Sequence, residues 1–82
     1  MNEWLQSSRR RLSDALGETP SEYDLSPAAV ERLLELARIA AHESGDRTNA
    51  PLISYVVGLA QGRNPERSLD ELVAAAIGQE AI

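Results

Sequence analysis

The chain has 82 residues, of which 13 are acidic and eight are basic, so its formal net charge is −5. It has no cysteine, which excludes disulfides and thiolate metal sites, and its acidic character disfavours binding to nucleic acid or to anionic membranes. Aromatic residues make up 4% and phenylalanine is absent, so the core must come from Leu, Ile, Val and Ala, which favours helices over sheets.

The first predicted helix begins at Asn2, a suitable N-cap, and runs to Leu16, with Gly17 ending it. The segment "GETPSEYDL" that follows is rich in turn-forming and acidic residues. We expect this segment to be a loop.

The second predicted helix opens at "SPAAVE", with Ser26 as N-cap and Pro27 at the first helical position, where the missing N–H costs nothing. Small and aliphatic residues recur at helical spacing as far as Ala41. Gly45 is expected to end this helix.

The third predicted helix runs from Pro51 to Gln61, with Asn49 or Ala50 as its cap and Gly62 just beyond its end. Its apolar residues cover well over half of the circumference: Leu52, Ile53, Val56, Val57, Leu59 and Ala60. Such coverage is typical of a helix that contacts several neighbours, so we expect this helix to be central and buried.

The fourth predicted helix begins with Ser68, and Glu71 three residues later completes a capping box. This box explains the serine better than an attachment site of the acyl-carrier type does. The helix is expected to fray near Gly78. Taken together, the patterns predict one all-α domain over residues 1–82, a small bundle of about four helices with short loops.

Catalytic and metal-binding motifs are not apparent. "HE" at His42 does not continue into a zinc-binding HExxH pattern, because position 46 is Asp46. Ser44 and Asp46 lie too close to His42 in sequence to form a triad readily. We therefore expect no enzyme activity, no cofactor and no metal. We place His42 in the last turn of the second helix, in a capping or packing role at the negative helix end.

The run Arg9-Arg10-Arg11 does not form a stripe, because consecutive helical positions are about 100° apart. We interpret it as a solvated face with salt bridges to nearby acids. The longest apolar stretch, near residues 51–60, is too short to span a bilayer, and no signal peptide is apparent, so a cytoplasmic location is expected.

Gly58 interrupts the apolar helix, and Ser54, Gly58 and Gly62 form a strip of small residues at i, i+4 and i+8. A strip of this kind lets another backbone approach closely. The approaching element is either the first or second helix of the same chain, or a helix of a partner. In the second case Tyr55 and Trp4 are candidate anchors at the rim.

The stretch "AHESGDRTNAPLISYVVGLAQG" and the opening "MNEWL" resemble a small uncharacterised actinobacterial domain. That domain occurs alone or appended to molybdenum cofactor guanylyltransferases, which make molybdopterin guanine dinucleotide. The resemblance covers most of residues 1–62 and implies an association with cofactor biosynthesis, not nucleotide transfer by the domain itself. The matching positions are Trp4, Leu5, Ala41, His42, Arg47, Ala50, Pro51, Leu52, Gly58, Ala60 and Gly62.

Three hypotheses follow. The first is a non-catalytic accessory or protein-interaction domain that serves a molybdopterin nucleotidyltransferase, with His42 and Arg47 making polar contacts across their loop or to the partner. The second is a small-ligand or phosphate binder that uses His42, Arg47 and a helix N-terminus. The third is a structural homodimer that packs through the strip around Gly58.

Overall fold

The structure, a computed structural model, describes residues 2–79. Within that range the chain forms four α-helices and one 3-10 turn, without any β-strand. The predicted small all-α fold with four helices is confirmed. The elements are α1 (Glu3–Leu16), the 3-10 turn (Pro20–Tyr23), α2 (Pro27–Ser44), α3 (Asn49–Arg63) and α4 (Leu69–Ala76).

The predicted ends of α1 and the start of α2 are confirmed by their capping contacts. The Asn2 side-chain oxygen accepts a hydrogen bond from the Leu5 amide at 2.7 Å, which satisfies a free donor at the helix start. Gly17 ends α1 with a φ of 68°, in the left-handed region that glycine adopts without strain. At α2, the Ser26 hydroxyl oxygen accepts from the Ala29 amide at 3.1 Å.

The start of α4 is also confirmed, but the capping box is only half formed. The Ser68 hydroxyl oxygen accepts from the Glu71 amide at 3.1 Å. The Glu71 carboxylate instead accepts from Arg67, 3.0 Å away. The helix ends at Ala76, and the predicted fraying beyond Gly78 lies largely in residues 80–82, outside the described residues.

The predicted bounds of α3 are wrong at both ends. The helix begins two residues earlier than Pro51, at Asn49, and it continues through Gly62 to Arg63. Gly62 is therefore an internal helical residue, and Asn64 is the C-cap. The Asn64 side-chain amide donates to the Ala60 carbonyl at 2.8 Å, a bond that completes the last turn beyond the glycine.

The chain divides into two compact units, Met1–Val30 and Glu31–Ile82. In the first unit α1 packs against the 3-10 turn. The Arg9 guanidinium pairs with the Asp24 carboxylate and also donates to the Pro20 carbonyl at 3.3 Å. The segment predicted to be a loop thus contains a 3-10 turn, which Arg9 connects to α1.

The second unit contains the hydrophobic core. Leu36 of α2, Val57 of α3 and Val73 of α4 are buried and pack together. Five partly buried residues surround them: Leu33, Ile53, Leu69, Leu72 and Ile77. α3 lies against α4, so three helical segments meet at this cluster. The expectation that the whole chain folds as one domain stays a prediction.

Arg32 adds a polar link inside the second unit. Its guanidinium forms ion pairs with Glu35 at 2.8 Å and with Asp70 at 3.5 Å, and it donates to the Gln79 side chain at 3.2 Å. One side chain on α2 therefore contacts residues at both ends of α4.

Candidate functional site

The two sides of α3 differ sharply in their burial. On the inner side Val57 is only 3% exposed, because it packs into the core. On the outer side four large apolar residues are exposed: Leu52 (62%), Tyr55 (69%), Val56 (53%) and Leu59 (49%). The expectation of a central, buried helix is therefore wrong for about half of the helix surface.

The four outer residues, here called the outer stripe, are spaced i, i+3, i+4 and i+7. This spacing places them on one face of a helix and is the pattern with which helices pack against each other. Fully burying an aliphatic side chain contributes about 1.5–3 kcal/mol. Each of these residues is roughly half exposed or more, so about 1 kcal/mol per residue would become available if another surface covered the stripe.

The glycines of α3 leave its backbone open. A Cβ atom added at Gly58 or at Gly62 would meet no atom of the described chain within 4 Å. The version of the prediction in which α2 crosses α3 at Gly58 is therefore wrong. Ser54, the third member of the small-residue strip, is half-buried, and its hydroxyl donates to the Ala50 carbonyl at 2.9 Å. The alternative prediction, that a helix of a partner approaches α3 at this strip, is compatible with the open glycines.

A groove of about 550 Å³ lies beside the outer stripe in the second unit. It is lined mainly by aliphatic side chains of α2 and α3 and by the end of α4, and it includes Leu52 and Val56 of the stripe. Glu43 is the charged residue in this lining, and within residues 2–79 it has no ion pair. The groove and the stripe form one continuous apolar surface.

The loop between α2 and α3 is held by hydrogen bonds that the sequence analysis did not predict. The Asp46 carboxylate accepts from the Thr48 amide at 2.9 Å and from the Thr48 hydroxyl at 2.7 Å. The Ser44 hydroxyl accepts from the Asp46 amide at 3.2 Å. The signal that identifies this turn is an Asp two residues before a Thr at a helix start.

His42 and Arg47 do not make the predicted contact across this loop. Both are exposed, and neither side chain forms a hydrogen bond or ion pair with another residue in the described range 2–79. His42 does lie in the last turn of α2, as predicted. These two side chains are accessible to a partner, but they are not brought together into a site.

The first amides of α3 already have acceptors within the chain. The Asn49 amide donates to the Asp46 carbonyl, the Ala50 amide donates to the Arg47 carbonyl, and the next residue is a proline. The Thr48 hydroxyl and amide lower the pKa of the Asp46 carboxyl, so a negative charge already occupies this end of the helix. The geometry therefore argues against the phosphate-binding hypothesis.

The remaining candidates belong to the first unit. Trp4 is 72% exposed on α1. Arg9 forms the predicted salt bridge with a nearby acid, whereas Arg10 and Arg11 are exposed and have no ion pair within the described residues. The interpretation of the arginine run as a solvated, salt-bridged face therefore holds only in part, because the salt-bridged Arg9 side chain is only 17% exposed.

Residues 2–79 show neither a metal-binding cluster nor a membrane-spanning helix. That part of the chain contains no cluster of three or more His, Cys, Asp or Glu residues that could hold a metal ion. Its helices are all too short or too polar to cross a lipid bilayer.

The chain belongs to the family described as Domain of unknown function (DUF6457), which it matches over residues 1–81. The match includes the C-terminal part, residues 63–81, which the sequence resemblance did not cover. No curated protein and no solved structure matches the chain.

Proposed function

We propose that this chain is a non-catalytic accessory or protein-interaction domain, and that the outer stripe of α3 is the surface with which it binds another protein. The observation that supports this most directly is the exposure of Leu52, Tyr55, Val56 and Leu59 at helix-packing spacing. A contiguous apolar surface of this kind on a small domain is typical of an interaction site.

The composition of α3 supports the same conclusion. From Asn49 to Gly62 the helix has no charged residue, although the chain as a whole carries a net charge of −5. Depletion of charge and exposure of an aromatic residue, here Tyr55, characterise the centres of protein interfaces. The open glycines Gly58 and Gly62 let a facing helix approach closely.

For the partner we propose a molybdopterin nucleotidyltransferase. The support is the resemblance of the sequence to a domain that accompanies or is fused to molybdenum cofactor guanylyltransferases. Such enzymes hold nucleotide phosphates with a glycine-rich loop that contains lysine. This chain has no lysine, so the role that fits it is to bind or position the enzyme and not to transfer the nucleotide itself.

The test is a calorimetric titration of the purified chain against a molybdenum cofactor guanylyltransferase, paired with an assay of the enzyme. We expect saturable binding that Leu59→Glu abolishes, because a carboxylate would be buried in an apolar interface. Leu34→Glu is the matched control, since Leu34 is equally large and 65% exposed but lies on α2. Absence of both binding and any effect on the enzyme would contradict the proposal.

A further inference from the structure

We propose that in the free domain the outer stripe of α3 is covered by the outer stripe of a second copy, in an antiparallel, two-fold symmetric dimer. This inference rests on the proposed function only in treating the stripe as an interaction surface. It names the occupant of that surface when no enzyme is present.

The charge distribution favours a second copy as the occupant. Two chains of net charge −5 repel each other over most of their surfaces. α3 is the exception, because it has no ionised side chain before Arg63. Two copies that meet along α3 therefore bring apolar surfaces together without placing carboxylates opposite each other.

The spacing of the stripe makes it self-complementary. A two-fold axis between Tyr55 and Val56 places Leu52 of each copy opposite Leu59 of the other. The same axis places Tyr55 opposite Val56. Each exposed apolar side chain then meets an apolar side chain, as a two-fold interface requires. The axis lies close to the midpoint of α3, so the two helices overlap along their whole length.

The charges at the two ends of α3 select the antiparallel orientation. Arg63 lies on the same helical face as Leu59 and Val56, at i+4 and i+7, and the ionised Asp46 precedes the other end of the helix. Within residues 2–79 neither has an ion-pair partner. An antiparallel pair places each Arg63 near the Asp46 of the other copy, whereas a parallel pair would place like charges together.

The first measurement is sedimentation velocity of the purified chain over a range of concentrations. The stripe is small for a specific interface, so we expect a reversible dimer with a Kd on the order of 10 µM. Leu59→Glu should be monomeric at every concentration, whereas Leu34→Glu should dimerise like the wild type. Circular dichroism checks that both variants keep their helices. A wild-type chain that stays monomeric up to about 200 µM would overturn the proposal.

The orientation is tested by cysteine cross-linking, because the natural chain has no cysteine to interfere. In the antiparallel dimer two Leu52→Cys residues are about 10 Å apart along the helices, which is too far for a disulfide. A mixture of the Leu52→Cys and Leu59→Cys chains should therefore cross-link under mild oxidation, and neither variant should cross-link alone. Cross-linking of Leu52→Cys with itself would overturn the antiparallel arrangement.

The end charges are tested by Arg63→Glu, which should weaken dimerisation roughly 5- to 10-fold at low salt and much less at high salt. Arg38→Glu, at an exposed position of α2, makes the same charge change and should alter the Kd less. Equal effects of the two variants would contradict the proposed contact between Arg63 and Asp46.

Dimerisation and enzyme binding can be separated, because the dimer is measured on the purified chain alone. A monomer that still binds the enzyme through α3 would refute the dimer and leave the proposed function intact. A dimer that neither binds nor affects the enzyme would refute the proposed partner and leave the dimer intact.

Discussion

The two units of this chain contain similar apolar side chains but bury them to different extents. In the first unit Trp4, Leu12 and Leu16 of α1 are all more than half exposed, and the fully buried residue among its described positions is Ser13. In the second unit three aliphatic residues are buried together. The difference lies in the number of helices: one α-helix and a 3-10 turn leave the large apolar side chains of the first unit exposed, whereas three helical segments enclose theirs.

This comparison indicates that the second unit is held by hydrophobic burial and the first by polar contacts. The Arg9–Asp24 ion pair and the Asn2 cap are characteristic of the first unit. The Leu36–Val57–Val73 cluster is characteristic of the second. The effects of substitutions on stability should therefore differ between the two units, both in size and in how far they spread.

The largest effect is expected for Leu36→Ala, which removes a completely buried side chain from the core of the second unit. We expect the free energy of unfolding to fall by about 2–5 kcal/mol, from lost burial and the cavity that remains. The measurement is guanidinium denaturation followed by circular dichroism. Leu34→Ala, at a 65% exposed position two residues away, should change stability by less than about 0.5 kcal/mol. Similar effects of the two substitutions would disprove the assigned core.

The next largest effect is expected from the helix caps. Ser68→Ala removes the acceptor for the Glu71 amide and should lower the free energy of unfolding by about 1 kcal/mol, because α4 contributes to the core. Asn2→Ala removes the equivalent contact with Leu5 in the first unit. There we expect faster amide exchange in the first turn of α1 with little change in the unfolding midpoint. If Asn2→Ala shifted the unfolding midpoint more than Ser68→Ala does, the first unit and not the second would depend more on its helix cap.

A smaller effect is expected for Asp24→Asn, which removes the ion pair with Arg9. Asp24 is 65% exposed, so the loss should be about 0.2–1 kcal/mol and should shrink as salt is added. Amide exchange of the 3-10 turn is the appropriate measurement, because the effect should stay local. Asp14→Asn makes the same charge change at an exposed residue without an ion pair in the described chain, so it is the matched control. Unchanged exchange in Asp24→Asn would show that this pair does not hold the turn.

The smallest effect concerns pH. The hydrogen bonds from Thr48 lower the pKa of Asp46 in the folded chain, so its contribution to stability is complete above the ordinary aspartate pKa of about 4. That contribution should be lost as the pH falls through the lowered pKa. An NMR titration of the Thr48 amide should report the protonation of Asp46 directly. Asp46→Asn keeps an acceptor but does not titrate, so a Thr48 transition that persists in this variant would contradict the assignment.

Local features of the fold were predictable because they depend on neighbouring residues alone. Asn2, Ser26 and Ser68 accept hydrogen bonds from amides three residues later, and Gly17 adopts the left-handed conformation that ends a helix. The end of α3 was not predictable in this way, because a glycine such as Gly62 commonly ends a helix, whereas here the contact between Asn64 and Ala60 completes the last turn beyond it.

The candidate site was less predictable, because α3 is apolar on all sides. Its pattern predicted many neighbours, but no property of the sequence distinguishes Val57, which is buried, from Val56, which is exposed. The strip at Gly58 predicts close approach by another backbone, either from the same chain or from a partner. The described chain leaves Gly58 and Gly62 open, and α2 does not cross there.

The sequence by itself thus determined the helical class, the starts of α1, α2 and α4 and the apolar character of α3, since these follow from capping, spacing and composition. Only the tertiary structure decided which face of α3 enters the core and which face remains exposed. Burial depends on where distant segments of the chain meet, and α2, α3 and α4 meet on the Val57 side alone.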